Sequence, residues 1–442
     1  MVRQSFCVLP YPAEVNFFQY DIFKISGLPL QKKSVEKNTY IKLILILGSL
    51  TALGPFSIDM YLPGFTSIAE DLDTTVNQVS LSLSSYFIGI SAGQLLYGPL
   101  LDRFGRKRPL YIGLGVYIAA SVGCAVATDI DVFIGLRFIQ AVGSCAAAVA
   151  SMAMVRDLFP VKDSPKVFSL LMLVVGLSPM LAPTIGGYVI AGFGWHTIFI
   201  ILAIMGLGIL LAARFGLPDT HRPDPTISLK PRPILNSFKN VLVNPQFYTY
   251  ALSGAVAFSG LFTYVAGSPI LFMDIFKVDA EIYGWIFAFM SVSFIGTSQL
   301  NSVLLKKYSS EQLIFFGLTL QAVISMFFII AAINGWLGLY ETIAMLFLYL
   351  GCLGLTSPNT AGLALAPFST NAGSASALMG ALQLGLGALA SMAVGILVED
   401  SMVPIIGIMA AGTLGALSIL IVGRRKVKET AQSNSANTSQ LH

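Results

Sequence analysis

Charge is the scarcest commodity in this chain. Of 442 residues only 11% are charged, while 55% are hydrophobic. Soluble domains carry roughly a quarter charged residues, and one soluble core cannot absorb so much apolar surface. The composition excludes a soluble globular protein, a disordered chain and a collagen-like chain. Histidine is equally sparse: the three residues at 196, 221 and 442 lie too far apart to suggest a metal cluster. Four scattered cysteines, Cys7, Cys124, Cys145 and Cys352, form no CxxC, which argues against a disulfide framework or a thiolate metal site. There is no GxxxxGK[ST] for a nucleotide-driven pump. Nor is there a His, Asp and Glu cluster of the kind a membrane-face enzyme needs. The chain is expected not to be an enzyme, and to hold no cofactor and bind no nucleic acid.

What it has instead is length in apolar runs. A membrane span needs about 20 such residues. The runs give twelve expected helices at 40–64, 77–100, 109–127, 132–155, 166–192, 196–214, 246–273, 282–305, 312–333, 338–366, 373–398 and 403–423. The ten-residue alternation of a membrane barrel is missing. With the N-terminus inside, the inner segments collect 24 of the 26 Lys and Arg, and Arg137 and Lys277 are the remainder. That is a strong positive-inside pattern, and it expects both termini in the cytoplasm. The outer loops are acidic, with Glu70, Asp71, Asp73, Asp129, Asp131, Glu399 and Asp400.

One long polar segment, 215–245, divides the chain into six-helix halves at 40–214 and 246–423. Residues 1–39 read as a loose cytoplasmic extension without a cleavable leader pattern, and 424–442 as a cytoplasmic tail. The halves resemble each other. LYGPLLDRFGRKRPLYIG at 96–113 aligns without gaps onto LNSVLLKKYSSEQLIFFG at 300–317, setting Leu101 on Leu305, Arg103 on Lys307 and Gly113 on Gly317. The expected fold is therefore all-α, twelve transmembrane helices in two pseudo-symmetric halves. Transporters of this design place substrate at the interface between halves.

Apart from Tyr and Cys, two ionisable side chains lie well inside the expected spans, Asp59 and Arg137. Each costs at least about 2.5 kcal/mol at a helix centre. At 1.5 Å per residue, Asp59 lies about 8 Å and Arg137 about 9 Å below the outer surface. A shared depth permits a direct or water-bridged pair. Burial favours the neutral acid and a nearby cation favours the anion, so Asp59 reads as a proton site with Arg137 beside it. The alternatives are a fixed ion pair tying two helices together, or an aspartate that merely ends the first helix. Tyr61, two residues on, is a candidate to face a substrate cavity. Asn359 and Gln383 read either as cavity residues or as bridges between helices.

The turn Asp102-Arg103-Phe104-Gly105-Arg106-Lys107-Arg108 follows Gly98. It serves as a cytoplasmic anchor or as a gate, and spacing alone does not separate the two. In the fifth helix Gly176, Pro179, Pro183, Gly186 and Gly187 predict a bend and close backbone packing.

GPLLDRFGRKRPL resembles the signature loop of the major facilitator superfamily, and LRFIQAVGSCAAA at 136–148 resembles its helix 4 motif, with Ala141 replacing a Gly. GLSPMLAPTIGG at 176–187 resembles the helix 5 motif of its antiporters. IDMYLPGF at 58–65, VRDLFP at 155–160 and SPNTAGLALAPFSTNAGSASALMGALQ at 357–383 look like the Bcr/CflA group of drug-efflux carriers. The resemblance covers about residues 40–423. It departs at Trp195-His196, where the group has Trp-Arg. It implies a monomeric drug:proton antiporter of the bacterial inner membrane, surrounded by lipid. Its substrates would be amphipathic drugs such as bicyclomycin-, chloramphenicol- or sulfonamide-like compounds, and protons its coupling ion. Asp59 and Arg137 take coupling positions, and the Asp102 loop is expected to contact the start of helix 11. The alternative is a proton-coupled exporter of one metabolite such as an amino acid.

Overall fold

The computed structural model describes residues 37–159, 164–219, 223, 238–368, 372–398 and 401–439. Most of the 1–39 extension, much of the 215–245 segment, and Glu399 and Asp400 fall outside them. From Lys42 onward the described residues form one compact unit. They are helical almost throughout, and twelve helical segments among the described residues are long and apolar enough to cross a membrane. These are α1 (Lys37–Asp59), α2 (Val76–Phe104), α3 (Lys107–Ala125), α4 (Ile130–Leu158), α5 (Ser164–Phe193), α6 (His196–Gly216), α7 (Pro245–Pro269), α8 (Ala280–Leu304), α9 (Ser310–Ile333), α10 (Leu339–Leu365), α11 (Ala372–Leu397) and α12 (Val403–Ser439).

Their ends follow ordinary capping chemistry. The Asp129 carboxylate accepts from the amides of Asp131 and Val132 to open α4, Asn244 does the same for α7, and Ser309 with Gln312 forms a capping box on α9. Gly105 closes α2 at φ 82°, a conformation that favours glycine. The apolar stripe Ile200, Ile204, Leu207 and Leu211 points outward from α6. With a spacing of four, three and four it is one helix face, and in a bilayer that face meets acyl chains.

The first span differs from its expected straight course. After Asp59 the chain turns, makes a 3-10 segment at Leu62–Gly64, and continues as a short helix at Phe65–Asp71. Pro63 has no N–H to donate to the Asp59 carbonyl, so the helical ladder stops there. Asp59 thus stands at a break inside the span (Tyr40–Asp71) and not near its outer end. A second irregularity ends α7, which passes into a π-helical turn at Ile270–Ile275.

The internal repeat has a structural meaning. Gly113 and Gly317, aligned in the two halves, occupy the same kind of position. A Cβ on Gly113 would come within 2.3 Å of Ala146 on α4, and one on Gly317 within 2.5 Å of Thr356 on α10. Between halves, α2 packs along α11 and α5 along α8. Ser84 and Ser391 share a hydrogen bond of 2.7 Å, Ser91 donates to the Ala381 carbonyl, and Asn77 donates to the Val398 carbonyl. On the other side the backbones nearly touch. A Cβ on Gly187 would lie 2.6 Å from the Ala280 carbonyl and one on Gly284 2.8 Å from the Thr184 Cα; within the N-terminal half, one on Gly186 would collide with the Met60 carbonyl. Gly176, in contrast, only grazes Ile295. The tight part of this seam is therefore at the end of the molecule that carries the acidic loops.

Overpacking a close contact of this kind costs about 1–3 kcal/mol. Gly187→Val is expected to lower the thermal unfolding midpoint of the purified protein by several degrees. Gly192→Val serves as the control, since no atom lies within 4 Å of its Cβ position. Equal midpoints for the two variants would contradict the seam.

Candidate functional site

Arg137 sits two turns into α4 and is completely buried. Its guanidinium is solvated by protein alone. Nη2 donates to the Ser57 carbonyl at 2.9 Å and Nη1 donates to Gln140. The rings of Tyr61 and Tyr86 stand 4.2 and 4.3 Å from its central carbon, with Phe199 at 5.6 Å. Desolvated cation–π contacts of this kind are worth up to about 2 kcal/mol each. The Ser57 carbonyl belongs to the last turn of α1, where the helix dipole favours a cation. Nε has no partner.

A second tier of bonds holds these groups. Gln140 donates to Ser121 at 2.7 Å, Ser57 and Tyr117 share a bond of 2.7 Å, Tyr61 and Ser82 share one of 3.1 Å, and Tyr86 donates to Ser144 at 2.8 Å. Five helices of the N-terminal half contribute side chains around one cation: α1, α2, α3, α4 and α6.

Asp59 is different. It is 5% exposed, and among the described residues its carboxylate takes part in no ion pair and no side-chain hydrogen bond. The expected pairing with Arg137 is absent. The reason is geometric, because Arg137 is committed to the Ser57 carbonyl, Gln140 and the rings. The Leu62–Gly64 segment just past Asp59 packs on α8 of the other half, so Asp59 stands beside the seam between halves, while Arg137 lies inside one of them.

Two expected cavity residues are placed otherwise. Tyr61 is wholly buried against Arg137 and packs on Phe65, Phe133 and Phe199, so it faces no cavity. Asn359 is also buried, donating to Asn301 of α8 at 2.6 Å and to the Leu355 carbonyl at 2.9 Å; it bridges helices. Gln383 does line a cavity, together with Tyr250, Gly254, Ser357, Thr360 and Met379 of α7, α10 and α11.

The basic turn is tied down within its own half. Arg106 bonds Asp102 and, at 2.8 Å, Asp157 at the end of α4. Lys107 reaches Asp219 at 3.1 Å. Arg103 lies over the Phe104 ring at 5.8 Å. The expected contact of this loop with the start of helix 11 falls at Ala372 and Gly373, whose side chains lie outside the described ones. At the opposite end Trp195 donates to Asp71 at 3.2 Å and His196 stands 3.5 Å from the same carboxylate. The departure from Trp-Arg thus keeps a polar link to the short helix.

Residues 47–393 match the family model described as Major Facilitator Superfamily. The chain belongs to the Major Facilitator Superfamily. Its relatives include a protein named bicyclomycin resistance protein homolog from Haemophilus influenzae, 33% identical over 376 residues, 85% of this chain and 94% of that protein. Multidrug resistance protein MdtL of Escherichia coli O81 is 31% identical over 381 residues, covering 82% and 93%. These relatives bear out the likeness to Bcr/CflA-type carriers. Among solved structures, a D-xylose–proton symporter superposes with a TM-score of 0.69 at 16% identity, over 86% of this chain and 97% of its own. A bacterial homologue of the human lysosomal transporter Spinster gives 0.66 at 14%, over 88% and 96%. At these identities the structural likeness concerns the fold.

As a Major Facilitator Superfamily member the protein is a multi-pass membrane transporter, not an enzyme. Several residues of its site carried no distinct sequence signal. Gln140 had one, since it follows Arg137 by three residues on the same helix face. Tyr86, Tyr117 and Ser121 looked like any other residue of an apolar span.

Arg137→Lys keeps the charge but loses the planar fork that reaches Ser57 and Gln140 together. Losing hydrogen bonds from a buried charge is expected to cost about 2 kcal/mol or more. Thermal unfolding in detergent checks this; an unchanged midpoint would mean that the guanidinium geometry contributes nothing.

Proposed function

We propose that this transporter exports amphipathic, drug-like compounds from the cytoplasm in exchange for protons, with Asp59 as the proton-carrying group. The observation that carries the reading is the position of Asp59: a buried carboxyl group at the break of the first span, without a cation partner, beside the seam between halves. A bare carboxylate in an apolar slab is costly. Binding a proton removes that cost, and releasing it restores an anion that water or a cationic substrate has to stabilise. A group in this situation couples proton occupancy to which side of the seam is open.

The positive-inside pattern supports a cytoplasmic position for the end with Asp102, Arg106 and Lys107 and an outer position for the acidic end, in the inner membrane of a bacterium. The backbone contacts of Gly187 and Gly284 then support a conformation closed outside. In the cycle, a drug enters from the cytoplasm between the halves while Asp59 gives up its proton to that side. The halves rock about the helix 2–helix 11 and helix 5–helix 8 seams. Outside, Asp59 takes up a proton, the drug leaves, and the protonated carrier returns. Each charge moved across 100 mV supplies about 2.3 kcal/mol. The wholly protein-solvated Arg137 acts as a fixed charge that anchors the last turn of α1 and so sets the place of Asp59. The relatives' names, bicyclomycin resistance and multidrug resistance, support drug-like substrates.

The test is proton flux in energised everted membrane vesicles. Chloramphenicol-, sulfonamide- and bicyclomycin-like compounds are each added beside a panel of amino acids. Several drugs are expected to dissipate the pH gradient, and Asp59→Asn is expected to abolish the response. A response to one amino acid alone would replace the drug reading with the metabolite reading. Full coupling in Asp59→Asn would remove Asp59 from the proton path.

A further inference from the structure

The short helix Phe65–Asp71, which follows the break in the first span, is held at both of its ends. At its start the Phe65 ring lies against Tyr61, ring centres 5.1 Å apart. At its finish Asp71 meets the two residues that open α6. The Trp195 indole donates to the Asp71 carboxylate at 3.2 Å, and the His196 imidazole stands 3.5 Å from the same oxygen. Trp195 is itself firmly placed. It is 3% exposed and meets Phe133 and Phe199 edge-on, ring centres 5.8 and 6.0 Å away. A Cβ on Gly64 would lie 3.4 Å from the Trp195 Cβ.

His196 differs from Trp195 in being half-exposed and ionisable. Its ring stacks on the indole, ring centres 3.8 Å apart and 27° from parallel. The imidazole thus has a carboxylate and an aromatic face as neighbours, and both attract a cation. Histidine is the side chain that gains and loses charge between about pH 5 and 8. The neighbouring elements carry Glu70 and Asp71 on the short helix, Asp73 just beyond it, Asp129 and Asp131 at the start of α4, and Tyr188 on α5, which the Trp285 indole bonds at 3.4 Å. The adjoining end of α3 has no charged group. Among the described residues Asp71 is the only acid with an oxygen within 4 Å of an imidazole nitrogen of His196.

We propose that His196 and Asp71 form a proton-operated latch: protonated His196 pairs with Asp71 and pins the short helix to α6, while neutral His196 gives up the pair and leaves the Trp195 bond alone to hold it. The turn just before the pinned helix, Leu62–Gly64, packs on α8 of the other half. The latch therefore acts on the part of the first span that adjoins the seam. With the acidic end outside, a placing that rests on the proposed function, the latch reads the pH of the outer medium and docks the short helix most firmly when that medium is acidic. His196 regulates in this scheme. It touches no substrate and carries no transported proton.

The experiment is hydrogen exchange on the full-length protein in detergent, without drug or gradient. It follows the peptide over residues 65–72 at about pH 5 and about pH 8, corrected for the pH dependence of chemical exchange. Local opening sets this rate. Wild type is expected to exchange about two- to five-fold more slowly at the acidic pH, the factor an exposed ion pair supplies. His196→Gln is expected to lose that difference, and His196→Arg, charged at both pH values, to exchange slowly at both. Asp71→Asn keeps an acceptor for the Trp195 indole but removes the charge, so it is also expected to lose the difference. Equal wild-type exchange at the two pH values overturns the latch. So does a pH difference that persists in His196→Gln or Asp71→Asn, or a His196→Arg protein that exchanges as fast as His196→Gln. Absence of drug-driven proton flux in the vesicle test would remove the antiport reading and leave the exchange result untouched.

Discussion

A guanidinium held in a hydrocarbon slab has to be solvated by the protein that carries it. Arg137 is completely buried, and the N-terminal half is arranged to meet that demand. One helix end supplies a carbonyl, α4 supplies an amide oxygen, and the turn after α1, α2 and α6 supply aromatic faces. Gln140, Ser57, Tyr61 and Tyr86 are in turn braced by a serine or tyrosine on a neighbouring helix. Both terminal nitrogens of Arg137 are bonded within its own half, and Nε has no partner. That is why Asp59, two residues from Ser57, is left without a counter-charge. The proton chemistry proposed for Asp59 thus follows from a structural commitment made elsewhere.

The second constraint is the seam. Two helix pairs join the halves, and they use different means. The α2–α11 pair is stitched by small polar side chains, Ser84 with Ser391 and Ser91 with a carbonyl. The α5–α8 pair relies on bare backbone, with Gly187 and Gly284 set where any side chain would collide. Small residues let membrane helices approach closely, and both kinds of contact suit surfaces that must part and meet again. Pro179 and Pro183 lie within the same helix as Gly187.

Much of this was legible in the sequence. The twelve spans followed from apolar run length, the repeat from the alignment of Gly113 with Gly317, and the two membrane charges from their rarity. The glycines of the fifth helix pointed correctly to close packing. What sequence could not show was direction. Asp59 and Arg137 share a depth, yet depth says nothing about which face of a helix each side chain leaves from. The break at Pro63 rotates the chain after Asp59 and turns Tyr61 inward onto the cation. Asn359 follows the same logic: a polar residue in a span has to find a partner, and Asn301, 58 positions earlier, is invisible to any local pattern.

The ion pairs at the basic end have a consequence for how the molecule responds to its medium. Arg106 with Asp102 and Asp157, and Arg424 with Glu311, each close within one half. Lys107 with Asp219 likewise stays on the N-terminal side. Dissolved salt weakens exposed charge pairs over a Debye length of about 8 Å at physiological ionic strength, but it has little purchase on glycine packed against carbonyl. Raising ionic strength would therefore soften each bundle from within while leaving the grip between bundles almost unchanged. A carrier built this way keeps the contact between its halves indifferent to the ionic strength around it.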